Sequence, residues 1–237
     1  MCCLISFHTT AFEQTTELLT HNIKPFSYQE NGQIKGFAVD VVNAIQLKVG
    51  VSLPMKIYPF KRGLMRVQKT NNSALFIVAR RPERENTVKW VGPLVSSNVY
   101  LYKNQNSSLK INTLADAKKV TRIAVGSGNA DHVYLKNLGF DNLFPTNNQK
   151  QSLQMLYLSR IDLTPISEMV MGETLKEANI NITEFERTNV MLYASTLYLA
   201  FSINTSDEEI TTWQAALDTM KESGEYQIIY DKYIKTH

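Results

Sequence analysis

This sequence predicts an α/β fold with mostly parallel sheet, divided between two lobes, and three observations carry the prediction. Short apolar runs of strand length alternate with segments whose apolar residues recur at helical spacing. A polar run, Asn104-Gln105-Asn106-Ser107-Ser108, interrupts that series, and a second series of the same kind begins after it. A late apolar strand, Leu197 to Phe201, follows the second series. If it lies beside the strand near Tyr100, the chain leaves lobe 1, builds lobe 2 and returns. The boundaries expected are 16–100 with 200–237 for a discontinuous lobe 1 and 104–196 for lobe 2. Two crossings form a hinge that permits closure over a ligand.

Taken in order, Glu17 to Thr20 reads as the first strand. The turn-rich segment from His21 to Gly36 follows, with aromatics beside a constrained backbone at Pro25-Phe26-Ser27-Tyr28 and a reverse-turn signal at Asn31-Gly32. Val41, Val42, Ile45 and Val49 recur at helical spacing and Gly50 stops that helix. A strand from Val51 to Tyr58, a helix opening near Lys61 and a strand from Leu75 to Ala79 complete the first series. The second comprises strand Arg122 to Val125, helix Asn129 to Leu138, helix Gln149 to Leu158, strand Ile161 to Thr164, helix Ser167 to about Ala178 and strand Ile182 to Phe185. Ser206 and Glu209 form a capping-box pattern before a helix whose Ile210, Trp213, Leu217 and Met220 share one face. A last helix runs from about Glu225 to Ile234.

Composition narrows the function. Hydrophobic content of 43% with 20% charged residues is that of a soluble globular protein. A formal charge of +3, dispersed along the chain, excludes a nucleic-acid surface, which needs clustered Lys and Arg with interleaved aromatics. Cys2 and Cys3 stand at the extreme N-terminus, so no disulfide framework or cysteine zinc site is available to the fold. The start, MCCLISFHTTAFEQ, reads either as the tail of an incomplete secretory signal, cleaved near Ala11 or Phe12, or as an ordinary disordered terminus. No later stretch reaches the roughly 20 apolar residues of a membrane span.

The stretch from Ala74 to Pro93 is the most telling for chemistry. Its apolar strand feeds a segment with Arg80, Arg81 and Arg84 around Pro82. Arginine offers a rigid fork matched to carboxylate or phosphate, and open α/β sheets bind ligands at the carboxyl ends of their strands. The plainer alternative is that these are solvated surface charges. Gly126-Ser127-Gly128-Asn129 before a helix is a second candidate, because backbone amides and a hydroxyl there can meet an anion. His21 and His132 are the two histidines placed to approach a cleft, and both read more simply as surface or supporting residues.

The order of motifs, KPFSYQENGQIKGFAVDVVNAI, RRPERENTVKWVGP, IAVGSGNADHVYLKNLG, SLQMLYLSRIDL and the closing helical pair, resembles bacterial extracytoplasmic solute-binding proteins of family 3, from about Thr16 to Ile234. These are polar amino-acid binding proteins of ABC importers. The resemblance implies a two-lobed periplasmic-binding-protein-like fold with two hinge crossovers, a periplasmic location, no enzymatic activity and no cofactor or metal. Its partners would be a small polar or anionic solute and an ABC permease or membrane receptor, with the protein itself a monomer. Residue by residue, Arg84 matches the arginine that clamps the ligand carboxylate. Ile23, Phe26 and Tyr28 lie in the loop that stacks on ligand, and Phe60 with Arg62 stands where a subgroup has a cleft-facing aromatic and arginine. Phe76 to Ala79 occupy the family's polar positions, Ala79 being kept among the ligand-lining residues. Ser127, Gly128 and Asn129 match the carboxylate cradle of lobe 2. Ser167 stands where the family places the acid that pairs with a ligand ammonium, and Glu168 is adjacent. An anion without an ammonium group is therefore a candidate beside a standard amino acid.

Two alternatives share the fold. One is a dehydratase acting on a prephenate-like acid, with Glu168 or His132 as general acid or base. The other is a sensory binding module addressed to a membrane receptor.

Overall fold

The structure, a computed structural model, describes residues 15–234. The N-terminal segment read as a signal remnant lies, but for Thr15, outside the described residues, as do residues 235–237. The chain forms two compact units, 15–95 with 197–234 and 96–196.

Unit 1 begins with β1 (Glu17–Thr20), buried along its whole length as a central parallel strand must be. The hairpin β2 (Tyr28–Glu30) and β3 (Gln33–Lys35) turns at Asn31 and Gly32, whose φ values of 50° and 79° suit the tight two-residue loop. Helix α1 (Phe37–Val49) buries Val41, Val42 and Ile45 and ends where Gly50 takes a left-handed φ of 80°. The next strand is shorter than the sequence suggests. β4 is only Met55–Ile57, paired in parallel with β1. Residues 51–54 include Pro54, which has no N–H to give a ladder, although its carbonyl accepts from Leu18. After α2 (Phe60–Lys69), β5 (Ser73–Ala79) pairs in parallel on the other side of β1.

Two long strands carry the chain between the units. β6 (Val88–Asn104) leaves unit 1 and, after unit 2, β10 (Phe185–Ser202) returns to it; the two are neighbours in the sheet. Sequence reading finds only their apolar parts, near Tyr100 and Leu199. The rest carries polar or half-exposed residues such as Ser96, Ser97 and Asn98, which hide strand periodicity.

Within unit 2 the elements are α3 (Leu114–Ala117), β7 (Ile123–Gly126), α4 (Ala130–Asn137), β8 (Leu143–Thr146), α5 (Gln149–Tyr157), β9 (Thr164–Ser167) and α6 (Glu168–Ala178). Two boundaries differ from expectation. The strand expected at Ile161 to Thr164 lies three residues later and runs through Pro165, which stands opposite Leu101 on an edge strand where proline is tolerated. The strand expected at Ile182 to Phe185 is a 3-10 turn at Ile182–Glu184, opened by the Asn181 side chain accepting from the Thr183 N–H, and β10 begins at Phe185.

The chain closes in unit 1 with α7 (Asp207–Glu222) and α8 (Glu225–Tyr233). Ser206 Oγ accepts from the Glu209 N–H, but the Glu209 carboxylate accepts from the Thr15 N–H instead of closing a capping box. Trp213, Leu217 and Met220 are buried, and Phe201 meets Trp213 edge-on. Beneath the carboxyl ends of the parallel strands, Leu19, Leu75, Val78, Val67 and Ala200 form a core with Phe60 and Trp90 at its margin. Among the described residues no helix is long and apolar enough to cross a membrane.

Candidate ligand-binding site

Topology locates a site before any side chain does. In unit 1 the strand order β4-β1-β5 means that the chain leaves β1 towards one side and later adds β5 on the other. Connections therefore diverge above the carboxyl ends of β1 and β5, where open α/β sheets hold ligands. His21 follows β1, and Ala79 ends β5.

The end of β5 is bent at Ile77. Its pairing with β10 runs Tyr198↔Val78 and then Leu199↔Phe76, leaving Ile77 as the extra residue of a bulge. Ile77 takes a φ of 65° with its side chain 2% exposed. A left-handed conformation costs a β-branched residue about 1–2 kcal/mol, which burial of the side chain offsets. The bulge turns the strand end and so sets the direction in which Ala79 and the following segment leave the sheet.

That segment presents Arg84. Pro82 opens a 3-10 turn, Pro82–Arg84, closed by the Arg84 N–H on the Arg81 carbonyl at 2.9 Å. The Arg84 guanidinium donates from Nη1 to the Ala79 carbonyl at 2.9 Å and lies 5.4 Å from the Phe60 ring centroid. Burial, then the neighbouring charge of Arg81, draws its pKa below the ordinary arginine value against the pull of Glu83. The other two arginines are engaged. Arg80 pairs with Glu85 and stands between the rings of Trp90 and Tyr198, and Arg81 reaches Glu83 at 3.9 Å. Arg84 has no ion-pair partner among the described residues. A half-buried cation held in place by a backbone carbonyl and a ring face, with no further hydrogen bond among the described residues, can receive an anion.

Phe60, the first residue of α2, links Arg84 to His21, whose ring meets it edge-on at 5.0 Å. The His21 backbone is fixed from below, because Ser27 Oγ donates to the His21 carbonyl at 2.6 Å and Thr20 Oγ1 donates to Ser27 Oγ at 2.7 Å. Burial lowers the His21 pKa to about 4, so the imidazole is neutral through the physiological range. Its Nδ1 is buried and has no hydrogen-bond partner among the described residues.

The opening loop divides its expected residues. Ile23 and Ser27 exchange backbone hydrogen bonds at 2.7 and 2.9 Å, which closes the loop tightly. Phe26, expected to stack on a ligand, is 2% exposed and packed in the core. Tyr28 is half-buried with Lys24 Nζ 5.5 Å from its ring centroid, and Arg62 is exposed on the first turn of α2.

In unit 2 the same topology recurs. β7 pairs with β8 on one side and meets the segment leading into β9, Ile123↔Leu163, on the other. Ser127 follows β7 and Ser167 ends β9. The amides expected to cradle an anion have partners within unit 2. Ser127 N–H donates to the Thr146 carbonyl, Gly128 N–H to His132 Nδ1 at 3.0 Å, and Asn129 N–H to the Gly126 carbonyl. Asn129 Oδ1 caps α4 by accepting from the His132 N–H at 2.8 Å. Ser167 Oγ is 2.7 Å from Ser97 Oγ. Glu168 pairs with Arg187, whose guanidinium lies 4.4 Å from the Tyr100 ring centroid. Neither the unpartnered nitrogen of His21 nor the Arg187 pair leaves a motif in the sequence; both arise from residues distant along the chain.

Comparison with known proteins follows the same line. A family model described as bacterial extracellular solute-binding proteins, family 3, matches residues 18–236. The "Probable amino-acid-binding protein YxeM" of Bacillus subtilis (strain 168) is 25% identical over 214 residues, 88% of this chain and 79% of that protein. An arginine-binding periplasmic protein of Mannheimia haemolytica is 25% identical over 229 residues, 95% and 93% of the two chains. A histidine kinase sensor domain similar to periplasmic binding proteins superposes with a TM-score of 0.77 at 16% identity, covering 93% of this chain and 96% of that one. The fold is that of the periplasmic binding proteins.

Proposed function

The chain belongs to the bacterial extracellular solute-binding proteins of family 3, and from that premise we propose that it captures a small carboxylate-bearing solute outside the cytoplasm for ABC-type import. The observation that carries this reading is Arg84, half-buried near the carboxyl ends of β1 and β5 and without an ion-pair partner among the described residues. An anion there satisfies donors that the protein itself leaves unused. Phe60 supports the guanidinium and offers an apolar wall. Capture proceeds by movement about the double connection formed by β6 and β10, and the closed form addresses the permease.

Binding without turnover is supported by the state of the two groups that an enzyme on this fold would use. Glu168 is held by Arg187, and His132 Nδ1 accepts from Gly128. Each is thus held by a partner within the protein, which favours binding over turnover. A sensory role would use the same capture step and differ in its membrane partner.

A thermal-shift screen of amino acids, hydroxy acids, dicarboxylates and aromatic acids tests the reading. A bound carboxylate present at 100 times its Kd is expected to stabilise the folded protein by about 2.7 kcal/mol. Amines that lack a carboxylate are expected to leave the midpoint unchanged. A screen in which no carboxylate raises the midpoint, or in which such amines do, contradicts the proposal.

A further inference from the structure

Beside Arg84 stands a second unsatisfied group that the family relationship does not explain. His21 Nδ1 is buried without a hydrogen-bond partner among the described residues. The β1 to β5 register ends at Leu19↔Leu75 and, carried two residues further, sets His21 level with the bulged Ile77. His21 thus occupies one side of the topological crevice, and the Ala79 to Arg84 segment leaves from the other. Phe60 touches both, with the His21 ring centroid at 5.0 Å and the Arg84 guanidinium at 5.4 Å. A buried polar atom left unpaired costs free energy, and a binding site is where that cost is recovered.

The charges around the crevice define what can recover it. The segment after β5 carries three arginines, and its acids are committed: Glu85 to Arg80 and Glu83 to Arg81. A ligand ammonium placed next to a carboxylate on Arg84 would add a second desolvated cation beside a segment whose acids already have partners. A neutral group that can both donate and accept suits His21 whichever ring nitrogen carries the proton.

We propose that His21 is a ligand-contacting residue and that the solute is a 2-hydroxycarboxylate, its carboxylate on Arg84 and its hydroxyl on His21 Nδ1. This rests on the carboxylate-capture reading above and narrows it. The imidazole is kept neutral by its burial, so it adds no charge of its own to the site. Discrimination then follows from pairing: the hydroxyl satisfies a buried nitrogen, whereas the ammonium of the matching amino acid pays for desolvation without a counter-charge.

The test is calorimetry on the full chain with matched pairs: L-malate against L-aspartate, L-2-hydroxyglutarate against L-glutamate, L-lactate against L-alanine, and L-phenyllactate against L-phenylalanine. At least one hydroxy acid is expected to bind about tenfold or more tightly than its amino counterpart. His21→Leu should remove about tenfold of that affinity, and His21→Asn, which restores a polar atom near the Nδ1 position, should keep most of it. Amino acids binding as tightly as their partners, with the affinity lost in Arg84→Ala, would overturn this inference and leave carboxylate capture standing. An unchanged hydroxy-acid affinity in folded His21→Leu would likewise overturn it. Failure of every hydroxy acid and amino acid to bind would overturn both. The wild-type comparison decides between hydroxyl and ammonium even where a variant fails to fold.

Discussion

Arg84→Ala is expected to weaken solute binding by roughly 2–5 kcal/mol, the scale for truncating one partner of a desolvated charge pair. That is about 30-fold to several thousand-fold at 25 °C. Stability of the unliganded protein should change by no more than about 1 kcal/mol, because two effects oppose. The variant loses the hydrogen bond to the Ala79 carbonyl and the contact with Phe60, and it also relieves the protein of a half-buried cation without a counter-ion. An arginine with a structural role would show the reverse, with stability lost and affinity kept. Arg84→Lys should fall between wild type and alanine in affinity, since an ammonium keeps the charge but not the planar fork. Calorimetric titration and a denaturant melt on the same three proteins separate these outcomes.

The second large effect is expected at Gly36, where the opening loop meets α1. Gly36 has a φ of 131° and ψ of 170°, a region open essentially to glycine alone. A Cβ there would meet the Phe26 carbonyl oxygen at 2.4 Å and its carbon at 2.6 Å, backbone atoms that cannot swing aside. The closeness is needed because the loop is stitched to the first turn of α1: Phe37 N–H donates to the Pro25 carbonyl and Ala38 N–H to the Phe26 carbonyl, both at 2.9 Å. Gly36→Ala should therefore destabilise unit 1 by roughly 3 kcal/mol or more. In a thermal melt that corresponds to a midpoint lower by on the order of 10 °C. Because the same stitching holds Ile23 to Ser27, and Ser27 holds the His21 carbonyl, residual folded Gly36→Ala should also bind solute less tightly. A melt within 1 or 2 °C of wild type, on the order of the effect of an ordinary surface change, would show the loop to be free to yield.

How much of this was legible in the sequence depended on whether a residue's role is local. α1 could be placed to the residue because both its apolar spacing and its glycine stop lie within the helix itself. The two strands that join the units were found only at their apolar centres, since pairing along the rest is decided by neighbours and not by their own alternation. Arg84 was singled out from three arginines by family resemblance. That Arg80 and Arg81 are engaged by Glu85 and Glu83 could be guessed from proximity in sequence, but the lack of a partner for Arg84 could not. The burial of Phe26 is not legible in the sequence, because a core aromatic and a ligand-stacking aromatic look alike in a loop beside proline. The Ser127 to Asn129 segment is similar: the sequence shows a helix start able to bind an anion, and the acceptor that its Gly128 N–H meets, His132 Nδ1, becomes apparent only when the first turn is folded. His21 was the least legible, since its significance is a missing partner, which no pattern of residues records.

The most direct measurement of the central claim is the crystal structure of the protein with the carboxylate that gives the largest thermal shift. The account predicts carboxylate oxygens within hydrogen-bonding distance of the Arg84 guanidinium, above the carboxyl ends of β1 and β5 and against Phe60. It would be contradicted by a ligand seated away from Arg84, as in the groove of about 540 Å³ lined by Met155, Tyr157, Leu158, Arg160 and Ile180 in unit 2.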